Sequence, residues 1–415
     1  MGKYIINGGK KLYGTVDIQG SKNSAVAILI ATLVTDGDTV ISNLPDITDV
    51  DNCLKILSYY GCAVKRESRV CVKINTDNIR NRTLPCNLIK KIRASNYLIG
   101  ALLSRFGACE LPESGGCNFG SRPVDLHIGA MTALGASVKG GGKFLECRSG
   151  LIANNIVFPF KTVGGTVNAI IAAVKARGTT VIENAAREPH IKDLSLFLNS
   201  CGAEIYGAGS DRIVIYGKNK LTGSLHTIDY DMIEAGTYMI YGLVTDGKIY
   251  CRNAPIGEMQ SFFSSLKNYG ANITVCNDSV KTEGRHMRGC DVKTAAFPGF
   301  PTDLQPLITV LAGISEGHSN ITEKIFSNRF GYVRELEKAG LRYNIDGDTL
   351  KVSGVTGYSP SIMEATDLRG GAALIGAALN ARGRSEILNA EYIQRGYSEI
   401  VRKLAGLGAD IEFQP

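Results

Sequence analysis

The segment LPESGGCNFGSRPVDLH, Leu111 to His127, sets a thiol in a glycine-flanked loop with a guanidinium five residues further on. Cys117 follows Gly115 and Gly116, precedes Gly120, and is succeeded by Arg122. No apolar period buries either side chain. A cysteine exposed by glycines beside an arginine is set up as a thiolate, because the cation favours the ionised form. The competing reading is a small buried hydrophobe. Polar groups also gather where helices are expected to begin: Lys22 and Asn23, Arg93, Thr162 to Gly164, Asp231 and Glu234, Thr302 and Asp303, Asp367 and Arg369. Loops ahead of a second set of helices add Arg187, Arg329 and Arg395 to Arg122. Guanidinium forks match phosphate and carboxylate oxygens. Helix starts add unpaired amides and the positive dipole end, so the pattern suits a small anionic ligand. Asp303, Asp367 and Glu234 are either functional carboxylates or helix caps.

Other chemistries find little support. The five histidines, His127, His190, His226, His286 and His318, show no metal-ligand spacing. No Walker loop or dinucleotide fingerprint is present, so no cofactor is expected. The formal charge of +7 is compatible with nucleic acid, a membrane surface or small anions, but there is no Lys/Arg run or RNA-reading aromatic motif. The opening MGKYIINGGKKLYG lacks an apolar signal core, and no stretch approaches the ~20 apolar residues that span a bilayer. Eleven scattered cysteines without a CxxC pair read as reduced thiols of a cytoplasmic protein.

The elements that position these groups repeat. Six stretches, YGCAV, LGASV, CGAEI, YGANI, AGLRY and LGADI, place glycines at 61, 135, 202, 270, 340 and 408, with spacings of 74, 67, 68, 70 and 68 residues. Each glycine follows an amphipathic run such as IKDLSLFLNS and precedes a strand, so it is expected to end a helix in the left-handed conformation. From 37 to 42 residues earlier lies a second helix, apolar almost all round, as in TVGGTVNAIIAAVKA or TDLRGGAALIGAAL. Such a helix belongs in a core. The unit is helix, strand, helix, strands, about 70 residues long, and the last copy, from Thr366, is about 20 residues short. The N-terminal KYIINGGKKLYGTVDIQ is expected to supply its missing strands. That gives an α/β fold with one domain over 22–229 and another from 1–21 plus 230–415, three repeats in each. Two chain crossings between them predict a hinged cleft.

These residues resemble a known family, the UDP-N-acetylglucosamine 1-carboxyvinyltransferases, or enolpyruvyl transferases. The resemblance covers essentially the whole chain. It rests on GSKNSA at Gly20, RAS at Arg93, GGCNFGSRPVDLH around Cys117, TVGGTV at Thr162, IENAAREP at Ile182, FPTDLQ at Phe300, NRF at Asn328, ATDLR at Ala365 and RGY at Arg395. It implies a two-domain inside-out α/β barrel of six repeats. It also implies transfer of the enolpyruvyl group of phosphoenolpyruvate to the 3'-hydroxyl of UDP-N-acetylglucosamine, with release of phosphate and without a metal. Matched residue by residue, Cys117 is similar to the family's acid on the phosphate side, the one alkylated by fosfomycin. Asp303 matches the base for the acceptor hydroxyl and a sugar contact. Lys22, Arg122 and Arg395 match the clamp on phosphoenolpyruvate. Asn23 and Arg93 match substrate contacts, and Pro123, Val124, Asp125, Leu126 and His127 with Thr162, Val163 and Gly164 match the uridine and diphosphate cradle. Ile325, Arg329, Asp367 and Arg369 are further substrate-binding positions by the same match. The partners implied are these two small molecules, with neither nucleic acid nor membrane.

The sequence departs from the family pattern at Thr48, where lysine is common, and at Met232, where arginine is common. It departs again at Phe297 in AAFPGF, in place of a His-Pro pair, and at Tyr392 and Gln394, where relatives carry histidine and aspartate. Two alternatives therefore stand beside the transferase: a specialised paralogue using another nucleotide acceptor, and a catalytically weak regulator that binds a nucleotide sugar.

Overall fold

A computed structural model describes residues 2–83, 85, 88, 96–110, 124–140, 144–147, 149–284 and 286–415. The chain divides into two compact units, one formed by residues 2–19 and 230–415, the other by the described residues of 20–229.

Each unit is built around three helices that are buried on nearly every face. In the 20–229 unit these are α1 (Lys22–Ala31), α2 (Leu98–Phe106) and α3 (Val163–Ala173). In the other unit they are α4 (Met232–Val244), α5 (Gln305–Ile314) and α6 (Leu368–Asn380). All-round burial follows from all-round apolar sequence, since such a helix has no face to offer water. Four of the six begin on a side-chain cap. Ser21 accepts from the Ser24 amide, Thr162 from Gly165, Asp231 from Ile233 and Glu234, and Asp367 from Arg369 and Gly370. Capping satisfies some of the amides that an anion would otherwise meet. The expected anion-attracting helix starts are thus partly satisfied by the chain itself.

Open sheets lie outside the helices: five of four strands and one of three among the described residues. None closes into a ring of strands. In each four-stranded sheet the strand after the core helix sits inside, with an antiparallel neighbour on one side and a parallel strand on the other. Lys248–Arg252, for example, lies between Ser279–Glu283 and the parallel Tyr13–Asp17. The N-terminal segment therefore serves two repeats. Lys3–Gly8 completes the last copy, pairing Tyr4 with Ile387 and Ile6 with Ile411, while Tyr13–Asp17 goes to the fourth. The strand given to the fourth copy adds to the expected service of the last one, because the parallel edge strand of each four-stranded sheet comes from a different repeat. The six repeat glycines all have φ between 92° and 99°, where a Cβ would be strained.

Candidate functional site

In the 20–229 unit the residues expected in the site lie at the starts of α1 and α3 and on the helix Asp125–Ala133. The Lys22 ammonium is 3.1 Å from Asp49 Oδ2, and Asp49 is buried in the first turn of Thr48–Tyr60. An ion pair with so little exposure fixes the direction of the lysine. Asn23, beside it, makes no side-chain hydrogen bond among the described residues. His127 is 9% exposed, and its ring lies so close to Gly164 that a Cβ there would stand 2.8 Å from Cε1. Asn168 organises this corner. Its Oδ1 accepts from the Gly100 amide at 2.8 Å, and its Nδ2 reaches both Asn96 O at 2.8 Å and His127 Nδ1 at 2.5 Å. With both amide hydrogens donated, His127 Nδ1 is the acceptor, which places the ring proton on Nε2. One buried amide thus joins α2, α3 and the Asp125–Ala133 helix. An asparagine amid the apolar letters of TVNAIIAAV was the signal available for it.

Val124, Asp125 and Leu126 open the same helix, and Thr162, Val163 and Gly164 form the turn against His127, so the structure brings these two groups together. Arg187 is held by its own unit: Nε donates to Gly209 O at 3.2 Å and lies 3.9 Å from Asp211. Arg93, Cys117, Arg122 and Pro123 lie outside the described residues.

The other unit gathers its residues around Asp303. Asp303 does not cap α5. Thr302–Leu304 forms a separate 3₁₀ turn, and Leu304 stands at the helix start without a side-chain bond. The carboxylate is gripped instead from two sides, Oδ1 by Arg329 Nη2 at 2.9 Å and Oδ2 by Arg369 Nη2 at 3.2 Å and Nε at 3.3 Å. Both arginine side chains are 4% exposed or less, whereas the Asp303 side chain is 29% exposed. Two immobile forks therefore orient a carboxylate whose outer edge stays open. Burial works against the Arg369 charge, yet Tyr397, Asp303 and Asp231 hold its pKa well above the ordinary arginine value. Its Nη1 is buried with no hydrogen-bond partner among the described residues. The Tyr397 ring lies 5.4 Å from this guanidinium, and its hydroxyl is 2.9 Å from Thr237 on α4. Tyr397 escaped the sequence reading because its partners are distant in the chain. Asp367 is spent as the cap of α6, and Ile325 is 39% exposed.

Arg395 ends the short helix Glu391–Gln394. The residues after it are fastened by Gln19, whose Nε2 donates to Gly396 O and whose Oε1 accepts from the Ser398 amide, each at 2.9 Å. Glu234 holds Gln19 in turn. It accepts from the Gln19 amide at 2.6 Å and pairs with Lys403 at 2.7 Å while fully buried. Glu234 thus faces inward and is not a ligand group. Burial raises its pKa above the ordinary 4.5, with Lys403 opposing the rise. Lys403→Met is expected to lower unfolding free energy by about 3 kcal/mol at pH 8, because it strands a buried carboxylate. A raised folded pKa means the protonated form is favoured by the fold. The deficit is therefore absent below about 4.5, grows as pH rises from there to the raised value, and is constant above it. Denaturant melts of both proteins at pH 5 and pH 8 check this.

Three of the departures from the family pattern have structural places. Met232 and Tyr392 pack against the apolar core of this unit. The Gln394 side chain bonds Tyr4, whose pKa burial pushes up to about 12. Thr48 opens its helix without a capping bond from Ile47 before it. Nothing in the structure explains Phe297. Among the described residues, no group of three or more His, Cys, Asp or Glu is placed to hold a metal ion, and no helix is long and apolar enough to cross a membrane.

A family model described as EPSP synthase (3-phosphoshikimate 1-carboxyvinyltransferase) matches residues 6–404. The chain is 42% identical over 414 residues to a Caldanaerobacter subterraneus protein named UDP-N-acetylglucosamine 1-carboxyvinyltransferase 3, covering 99% of each. It is 43% identical over 414 residues, again 99% of each, to a Clostridium acetobutylicum protein named UDP-N-acetylglucosamine 1-carboxyvinyltransferase 2. The crystal structure of the enolpyruvyl transferase NikO from Streptomyces tendae is similar with a TM-score of 0.89 at 26% identity, covering 100% of this chain and 99% of that one.

Proposed function

The chain belongs to the EPSP synthase (3-phosphoshikimate 1-carboxyvinyltransferase) family and, within it, to the UDP-N-acetylglucosamine 1-carboxyvinyltransferases, and from that premise we propose how its residues carry the reaction. It transfers the enolpyruvyl group of phosphoenolpyruvate to the 3'-hydroxyl of UDP-N-acetylglucosamine and releases phosphate, the step that commits the sugar to peptidoglycan. The observation that carries this is the match, end to end, to relatives bearing that name.

A proton adds to the methylene carbon of phosphoenolpyruvate, leaving the adjacent carbon electron-poor. The acceptor oxygen bonds to that carbon as its hydroxyl proton passes to Asp303. Phosphate then leaves with the bridging oxygen and a proton is lost from the new methyl, restoring the alkene. Cys117 supplies the proton on the phosphate side, and Lys22, Arg122 and Arg395 hold the donor's anionic groups. The pairing of Lys22 with Asp49 and the fastening of the Arg395 turn by Gln19 support those two roles. Asn23, Arg93, residues 123–127, Thr162 to Gly164, Ile325, Arg329, Asp367 and Arg369 serve the nucleotide sugar, Asp367 by setting the first turn that carries Arg369. Oriented donors and a preset carboxylate speed such a reaction by stabilising charge where it develops. We place the protein in the cytoplasm, a reading supported by the free thiols of all its described cysteines.

Phosphate release should require phosphoenolpyruvate and UDP-N-acetylglucosamine together, and UDP-glucose or UMP should not replace the sugar nucleotide. Equal or faster release with another uridine nucleotide would move the acceptor assignment to that nucleotide.

A further inference from the structure

We propose that Glu323 is a positioning residue for the reaction, setting both halves of the Asp303–Arg329 pair from one buried carboxylate. Glu323 follows the strand His318–Thr322, is 4% exposed, and has no cation within ion-pairing distance among the described residues. A buried carboxylate in that state is costly unless hydrogen bonds replace its water. Four do. Oε1 accepts from Thr294 Oγ1 at 2.9 Å and from the amides of Ile325 at 2.8 Å and Phe326 at 3.2 Å, and Oε2 accepts from Thr302 Oγ1 at 2.8 Å.

These bonds form a ring through the site. Thr302 opens the 3₁₀ turn that carries Asp303. Phe326, held through its amide, places its ring 5.2 Å from the Arg329 guanidinium, and Arg329 closes the ring on Asp303. Thr294, on the same oxygen, also accepts from the Lys324 amide at 2.8 Å, which ties residues 294–302 to the Arg329 loop a second time. An apolar side chain would fill the space without the desolvation penalty but would leave two loops unjoined. A carboxylate there holds base and guanidinium in register, and a misplacement of about 1 Å at such a pair lowers rate by ~10²-fold.

The inference rests on the proposed role of Asp303, and its test has a readout independent of that role. Glu323→Ala is expected to lower kcat by ~10²-fold with less than about a threefold change in KM for phosphoenolpyruvate, since no donor-clamp residue touches Glu323. Glu323→Gln keeps acceptors for the amides and should recover most of that loss. Thr302→Val cuts only the bond to the Asp303 turn and keeps the side-chain shape, so it should lower kcat roughly tenfold. It should also speed amide exchange over residues 323–329. If Glu323→Ala does not fold, Thr302→Val decides. Wild-type turnover in folded Glu323→Ala would overturn the proposal. So would wild-type turnover with wild-type exchange in Thr302→Val, or a loss of kcat matched by equal changes in every KM and in melting temperature. If the wild-type chain makes no enolpyruvyl product, the functional reading falls, and the exchange of residues 323–329 still decides whether Glu323 orders the loop.

Discussion

Asp303→Asn is expected to lower turnover by ~10²-fold or more, the scale of a positioned general base, while the chain still folds and still binds UDP-N-acetylglucosamine. The asparagine keeps one oxygen for Arg329, now 2.9 Å away, but turns an amide toward Arg369. Both arginines are nearly buried, so some stability is lost. Water reaches the partly exposed Asp303 side chain, and the drop should stay near 1–2 kcal/mol rather than that of a sealed pair. Steady-state kinetics with nucleotide binding by calorimetry separates the two effects. Turnover within threefold of wild type would leave Asp303 as an anchor for two arginines and nothing more.

The second large effect concerns Cys117. Cys117→Ala should lose ~10²-fold or more in turnover, as removal of a proton donor does. Cys117→Asp should retain activity, because a carboxyl group still carries a proton there. Fosfomycin, whose phosphonate mimics the donor's phosphate, should alkylate Cys117 ahead of the other ten cysteines. The thiols elsewhere argue for that selectivity. Burial pushes Cys62 and Cys109 up to about 12 and Cys201 up to about 11, and it raises Cys53, Cys147, Cys251 and Cys290 as well. A thiol is reactive only as thiolate, so these react slowly at neutral pH. Cys276 is exposed, and a neutral alkylating agent should reach it where the phosphonate epoxide does not. Peptide mapping with each reagent gives the answer, and labelling spread over several cysteines, or absent from Cys117, would contradict the assignment.

What the sequence made legible was local. The six repeat glycines and the possible cap at Asp367 act within a few residues, so their letters suffice, while Ser21, Thr162 and Asp231 are caps that only the structure identifies. For Asp303 the letters leave helix cap and functional carboxylate both open. A cap depends on three neighbours, whereas its real partners are 26 and 66 positions away. Asn168 and Gln19 were missed for the same reason, since Gly100 lies 68 residues from the first and Gly396 377 from the second. At a helix start, the letters leave Glu234 open as cap or functional carboxylate. Only the fold reveals that Lys403 faces it from within. Enclosure and long-range pairing decide such cases, and neither is a property of a short stretch of letters.

The central claim is that this chain breaks the carbon–oxygen bond of phosphoenolpyruvate while joining that carbon to the sugar. Phosphoenolpyruvate labelled with ¹⁸O at the bridging position, turned over with UDP-N-acetylglucosamine, tests it in one mass spectrum. The account predicts label in the released phosphate, and none in an enolpyruvyl ether of the nucleotide sugar formed in equal amount. Label retained in pyruvate would mean that the phosphorus–oxygen bond is cut instead, and phosphate released without the ether would mean that the carbon is not joined to the sugar; either result would contradict the account.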